Sequence, residues 1–193
     1  MIAGHFGFAA LVKGQVKQAP LWALMLATVW IDIVFIPLFL MNAETLVPAP
    51  GLRGRYGENI IHADYTHSLL GAILLAGLLG ALCAIPWGQV CGVTVSVVSF
   101  SHWMLDLLVH RQDLPLLPGN AGNLPRLGFG LWRMPEVAVI LEALLVAAGA
   151  WAYWRAASGV CRASGQSLAR AGLAAGMIFV CGNLVLILDV TAH

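Results

Sequence analysis

Charged side chains fall along this chain so as to leave long runs without any, and those runs set the elements. Between Lys17 and Glu44 the one acidic or basic residue is Asp32, and the interval is long enough to cross a bilayer once. Between Asp64 and Asp106 there is no Asp, Glu, Lys or Arg. That run is too long for one pass, and "IPWGQ" places Pro86 and Gly88 near its middle, so it predicts a helical hairpin, 67–85 and 89–109. A further span, 134–156, contains Glu142, and the last, 168–190, ends near Asp189. Residues 4–17 predict a helix too short to cross, docked against the others. Lys13 and Lys17 follow its apolar stretch rather than precede it, which is not the order of a cleavable signal. The pattern predicts an all-α integral membrane protein in one domain, 1–193, with five transmembrane helices (about 20–41, 67–85, 89–109, 134–156 and 168–190) and a short leading helix.

Composition agrees. Of 193 residues, 60% are hydrophobic and 10% charged, with a mean hydropathy of +0.86, whereas a soluble domain carries roughly a quarter charged residues. The net charge of +1 comes without a basic patch to neutralise phosphates, which argues against a nucleic-acid partner. Cys83, Cys91, Cys161 and Cys181 form no CxxC pair and read as small hydrophobes. Five passes put the long loops 42–65 and 111–133 on one side. Lys and Arg divide evenly between the two sides, so the positive-inside rule does not choose an orientation. The expected setting is a bacterial inner membrane with the long loops outward and membrane lipids as partners.

Burying a charge in hydrocarbon is costly, so an ionisable group inside a span faces a partner, a cavity or a metal. At about 1.5 Å rise per residue, a hairpin turning at Pro86–Gly88 returns Asp106 to the level of His67, with His102 one turn deeper. Asp32, Glu142 and His5 reach a similar depth. His5, Asp32, His67, His102, Asp106 and Glu142 can therefore meet in one layer, nearer the long loops. His102 and Asp106 are i and i+4, the spacing by which a helix offers two ligands to one ion. His110 extends the same face towards water.

Plainer roles compete. A lone membrane histidine can simply hydrogen-bond a neighbouring helix. His62 and Asp64 precede the span and can be solvated loop residues, Asp189 sits where a carboxylate can snorkel, and His193 reads as a plain chain end. Trp30, Trp87, Trp132, Trp151 and Trp154 fit interface and packing positions. The span glycines fit close helix packing.

The segments "GHFGFAALVK", "WIDIVFIPLFLMNAE", "DYTHSLLGA", "SHWMLDLLVHRQDLPLLPG" and "GFGLWRMPEVAVILE" resemble the successive signatures of predicted membrane-bound metal-dependent hydrolases of the YdjM-like family. The likeness runs from about residue 4 to 155. That family is in turn similar to the all-helical zinc-dependent phospholipase C and nuclease superfamily. The resemblance implies one site from Asp32, His67, His102 and Asp106, and a neighbouring one from His5 with Asp106 bridging. Glu142 and His110 are candidates for the superfamily's later ligands. One or two ions are expected.

Mixed imidazole and carboxylate ligation suits zinc, with manganese or iron as alternatives. The expected reaction is metal-assisted hydrolysis of a phosphoester or ester bond in a lipidic substrate. Asp64 or Glu142 would act as general base, and Arg53, Arg55 or Arg111 would hold an anionic head group. Three rivals stand beside it. One is a non-catalytic subunit of a larger membrane complex with a structural metal or polar network. Another is a b-type cytochrome ligated by His67 and His102, and the third an ion carrier using Asp32 and Glu142, which no inverted repeat supports.

Overall fold

The computed structural model describes residues 1–51 and 57–191. Its elements run α1 (Ile2–Gln15), α2 (Leu21–Thr28), α3 (Trp30–Leu40), β1 (Thr45–Pro48), β2 (Asn59–His62), α4 (Leu69–Val109), α5 (Pro135–Ala163) and α6 (Leu168–Thr191). The molecule is mostly helical. By length and composition α4, α5 and α6 can each cross a membrane, and the bent pair α2–α3 adds a fourth crossing if taken together. Their outer faces carry exposed Leu74, Val93, Leu144 and Leu173. An apolar exterior of this kind suits lipid and not water.

Helix α4 runs in name from 69 to 109 but reverses at Gly88, whose φ of 80° and ψ of 169° no helix contains. Glycine has no Cβ to oppose that conformation. Pro86 precedes it, and Ser68 caps the start of the first arm by accepting the Gly71 N–H at 3.0 Å. The two arms press together closely. A Cβ on Gly80 would strike the Ser96 hydroxyl, and one on Gly92 would come within 2.6 Å of Ala84 Cβ. Along a straight helix residues 80 and 92 would lie about 18 Å apart, so the contact establishes the hairpin.

The interval 20–41 is broken and not continuous. α2 and α3 meet at Val29 with a bend of 43°. The break falls where the Thr28 carbonyl accepts a hydrogen bond from His102 Nδ1 at 2.8 Å, and a side chain entering the backbone ladder is a recognised cause of a kink. Pro37, farther along α3, cannot donate into that ladder either.

Helix α1 packs chiefly on α5. The crossing is tight because Gly7 faces the Leu145–Val146 backbone and Gly149 faces the Gly7 carbonyl, leaving no room for a Cβ. The core is correspondingly built from small residues: Ala9, Ala23, Leu24 and Ala27 against Leu79, Cys91, Val95 and Val98 from both arms of α4.

The two long loops share one end of the bundle and are tied together. Leu69 N–H donates to Pro115 O at 3.0 Å, Gly119 N–H to Asp64 O at 2.9 Å, and Arg126 grips Asp64 through both guanidinium nitrogens at 2.6 and 2.9 Å. That paired hydrogen bonding raises the Arg126 pKa above its ordinary value. Within loop 42–65 lies an antiparallel ribbon, β1 with β2, pairing Thr45 with His62 and Pro48 with Asn59. The hydropathy reading passed over this ribbon because four-residue strands are too short for an alternation signal.

Gly92→Val is expected to force the arms apart and lower stability by about 1–3 kcal/mol, read as a lower melting temperature in detergent. Gly77→Ala, where the added Cβ meets nothing within 4 Å, is expected to leave the melting temperature unchanged or slightly raised.

Candidate metal centre

Four separate elements deliver histidine or aspartate to one buried spot. His5 comes from α1, Asp32 from the first turn of α3, His67 from the turn before α4, and His102 and Asp106 from its second arm. The bend at Val29 turns α3 so that Asp32 reaches the histidines. The hairpin at Gly88 brings His102 beside His67, as matching depths along the two arms require. A hydrogen bond from Trp103 Nε1 to the His67 carbonyl, 2.8 Å, fixes the pair.

The distances define two groups that share His102. In the first, His67 Nε2 lies 3.4 Å from His102 Nε2, and Asp32 Oδ1 lies 3.4 Å from His67 Nε2 and 3.5 Å from His102 Nε2. The edge of a tetrahedron around an ion held at zinc-like distances is about 3.4 Å, so these three atoms already have the required spacing. Asp106 Oδ2 sits 3.0 Å from His102 Nε2 and 3.8 Å from His67 Nε2. In the second group His5 Nε2 is 3.2 Å from Asp106 Oδ1, and its ring stacks on His102 with centroids 4.0 Å apart. Asp106 therefore stands between the groups, one oxygen towards each. Both triads, His5–His102–Asp106 and Asp32–His67–His102, keep their ligand atoms close enough to hold one ion.

The outward nitrogens decide the tautomers. His102 Nδ1 donates to Thr28 O. The Thr66 hydroxyl donates its proton to Glu44, 2.9 Å from Oε2, so it accepts from His67 Nδ1 at 2.9 Å. Glu44 is itself fully buried and also accepts the Tyr65 and Thr66 N–H groups, each at 2.8 Å. With both Nδ1 atoms protonated, the two Nε2 lone pairs face each other across 3.4 Å. That approach is repulsive unless a positive charge, a metal ion or a proton, lies between them.

His110 follows the same scheme. Its Nδ1 pairs with Asp113 Oδ1 at 2.9 Å, and Asp113 Oδ2 accepts the Ile61 N–H at 3.0 Å. This leaves His110 Nε2 facing inward, 3.8 Å from Asp106 Oδ2, with Trp132 against its ring. A cleft of about 390 Å³ opens over the cluster, and Phe35, Ile36, Leu46, Ile61 and Trp132 form its apolar wall. Asp189 lines it too, which places this carboxylate at the cleft and not simply at a span end.

The structure places the other candidate residues as follows. Asp64, expected as a general base, is engaged with Arg126 in joining the loops. Glu142 is buried but does not line the cleft; its Oε2 accepts the Gly4 N–H at 3.1 Å in the first turn of α1, where a carboxylate suits the free backbone donors. His62 lies on β2 next to Ile61; Ile61 faces the cleft, so the alternation of a strand directs His62 away. Arg111 donates to the Gly57 carbonyl at 3.1 Å, beside the cleft mouth. Arg53, Arg55 and His193 lie outside the described residues. Around the His67–His102 pair, carboxylate oxygens of Asp32 and Asp106 lie 3.5 and 3.0 Å from His102 Nε2.

Glu44, Thr66 and Asp113 escaped the sequence reading, which sought ligands rather than the groups that orient them. Asp113, three residues after His110, and Thr66, adjoining His67, carried a local signal. Glu44 carried none, since its contact depends on how the loop folds back. Comparison of the chain with protein-family models, with curated proteins and with solved structures finds no match.

Loss of the orienting hydrogen bond should weaken metal retention without touching a ligand. Thr66→Val is expected to lower affinity about 10–100-fold in a chelator competition titration, while Thr66→Ser, which keeps the hydroxyl, should match the parent protein.

Proposed function

We propose that this chain is a membrane-embedded, metal-dependent hydrolase acting on a phosphoester or ester bond of a lipidic substrate, as the resemblance of its motifs implies. The observation that carries the reading is the opposed pair of His67 and His102 Nε2 lone pairs, with Asp32 and Asp106 completing a four-group set under an apolar cleft. Asp32, His67, His102 and Asp106 would hold zinc, with manganese or iron as alternatives, and His5 with the second oxygen of Asp106 would serve a neighbouring ion. When bound, such an ion supplies Lewis acidity, lowering the pKa of water and neutralising charge that develops on the scissile group.

The protein's own groups divide the remaining work. His110 lies outside the closest ligand set, and its Nδ1–H is held by Asp113. Its Nε2 is free to take a proton from water and return it to the departing oxygen, the role of a general acid–base. Asp113 keeps the tautomer and supports the cation that forms on His110. The wall of Phe35, Ile61 and Trp132 excludes bulk water and thereby strengthens each electrostatic contact inside. Arg111 is the described arginine nearest the mouth and the candidate for head-group contact.

The same reading counts five membrane passes: α2–α3 together, the two arms of α4, α5 and α6. Each arm of α4, at about 1.5 Å per residue, measures close to the 30 Å hydrocarbon thickness. The setting is a bacterial inner membrane, with the paired loops and the cleft mouth outward.

The test is metal analysis of the purified protein together with turnover on phospholipid and isoprenoid-phosphate substrates. His102→Ala and Asp32→Asn should lose bound metal and activity together. His110→Gln should keep the metal and lose about 100-fold or more in turnover. Equal metal content in parent, His102→Ala and Asp32→Asn would sink the site. A protein that holds its metal tightly but turns over nothing would favour the structural-subunit reading.

A further inference from the structure

Helix α6 packs on α5 and α1, whereas α2 and α3 pack on α4, with α2 also resting on α1. Helix α1 thus touches both α6 and α2.

The metal cleft and a second hollow are lined from the same helices. On α6, Asp189 lines the metal cleft, and Val185, Cys181 and Ile178, spaced four, four and three residues apart, line a second hollow of about 300 Å³. On α2–α3, Ile36 and Asp32 border the cleft and Met25, on the same stripe, borders the hollow. On α1, Ile2 and His5 belong to the cleft, and Phe6 and Gly7 to the hollow. On α6 the spacings of three and four residues follow one helical face. The polar cluster and the apolar hollow lie along that face, about 18 Å from Asp189 to Met177 at helical rise.

Resting on the hydrolase reading above, we propose that the cleft and the hollow join in one trough that binds one hydrocarbon chain of the substrate, placing the bond to be cleaved at the His/Asp cluster. An extended chain suits a channel that is narrow, apolar along its length and polar at a single end. That end is also the one nearer the loops, where a lipid carries its head group. Gly7 and the buried Gly182 also border the hollow, and because a Cβ at either would strike α5, both let α1 and α6 pack closely on that helix. The recognised class is therefore an amphiphile with at least one long chain joined to a phosphoester or ester head. A water-soluble ester of the same head group lacks the anchoring half.

The experiment uses the full chain in phosphatidylcholine nanodiscs with phosphatidic acid carrying a diazirine near the end of one acyl chain. After photolysis, label is expected to concentrate on 177–185 and around Met25, in several-fold excess over the lipid-facing Leu74 and Val93 of α4. Ile178→Trp, filling the hollow, should reduce that label several-fold with metal content unchanged. If Ile178→Trp lowers the melting temperature, alkylation of the exposed Cys181, in a chain whose other cysteines are alanine, blocks the same space. Label spread evenly over α4 and α6, and indifferent to both blocks, would mean surrounding lipid only and would overturn the trough. Metal content of the same sample separates the two readings. Focused label in a protein without metal overturns the hydrolase and the substrate role, and dispersed label in a protein with metal overturns the trough alone.

Discussion

Two imidazole nitrogens face each other across 3.4 Å because each ring has its other nitrogen engaged on the far side, His102 with the Thr28 carbonyl and His67 with the Thr66 hydroxyl. Much of the architecture serves that opposition. Away from water, facing lone pairs beside two carboxylates are tolerable only if a cation joins them, and the surrounding structure holds them there regardless. The bend between α2 and α3, the reversal at Gly88 and the buried Glu44 each contribute one constraint to the same pair.

The orienting shell is drawn from parts of the chain that carry no ligand. Glu44 fixes Thr66, Thr66 fixes His67, and Asp113 fixes His110 while accepting the Ile61 N–H of the ribbon. The loops are accordingly joined to one another by backbone bonds and by the Arg126–Asp64 clasp. A buried cluster whose rings could rotate would lose its geometry, and with it any affinity for an ion. The bonds between the loops and the hairpin beneath them hold the His and Asp ligand atoms at a spacing that could take a metal ion.

Helix α1 links the site to the lipid. It is too short to cross, yet its first turns carry His5 to Asp106 and its glycine face lies tightly on α5. Its contacts with both α6 and α2 set it beside the cleft and the apolar hollow that the proposed trough joins. A helix that completed the crossing and packed fully against both neighbours would close that path.

Much was legible in the chain itself. Charge-free runs set the helical segments, "IPWGQ" marked the reversal, and helical rise placed Asp106 level with His67 and His102 one turn deeper. These features follow from local rules, hydropathy and helical periodicity, which need no knowledge of neighbours. Tertiary structure decided the rest. It set Asp64 in a loop clasp and Glu142 at a helix start, put Asp113 behind His110 and Asp189 at the cleft, and paired Glu44 with Thr66. The reason is that depth along a helix is one coordinate, computable from residue number. The direction in which a carboxylate points, and the partner it meets, depend on rotation and packing that arise only when the segments assemble.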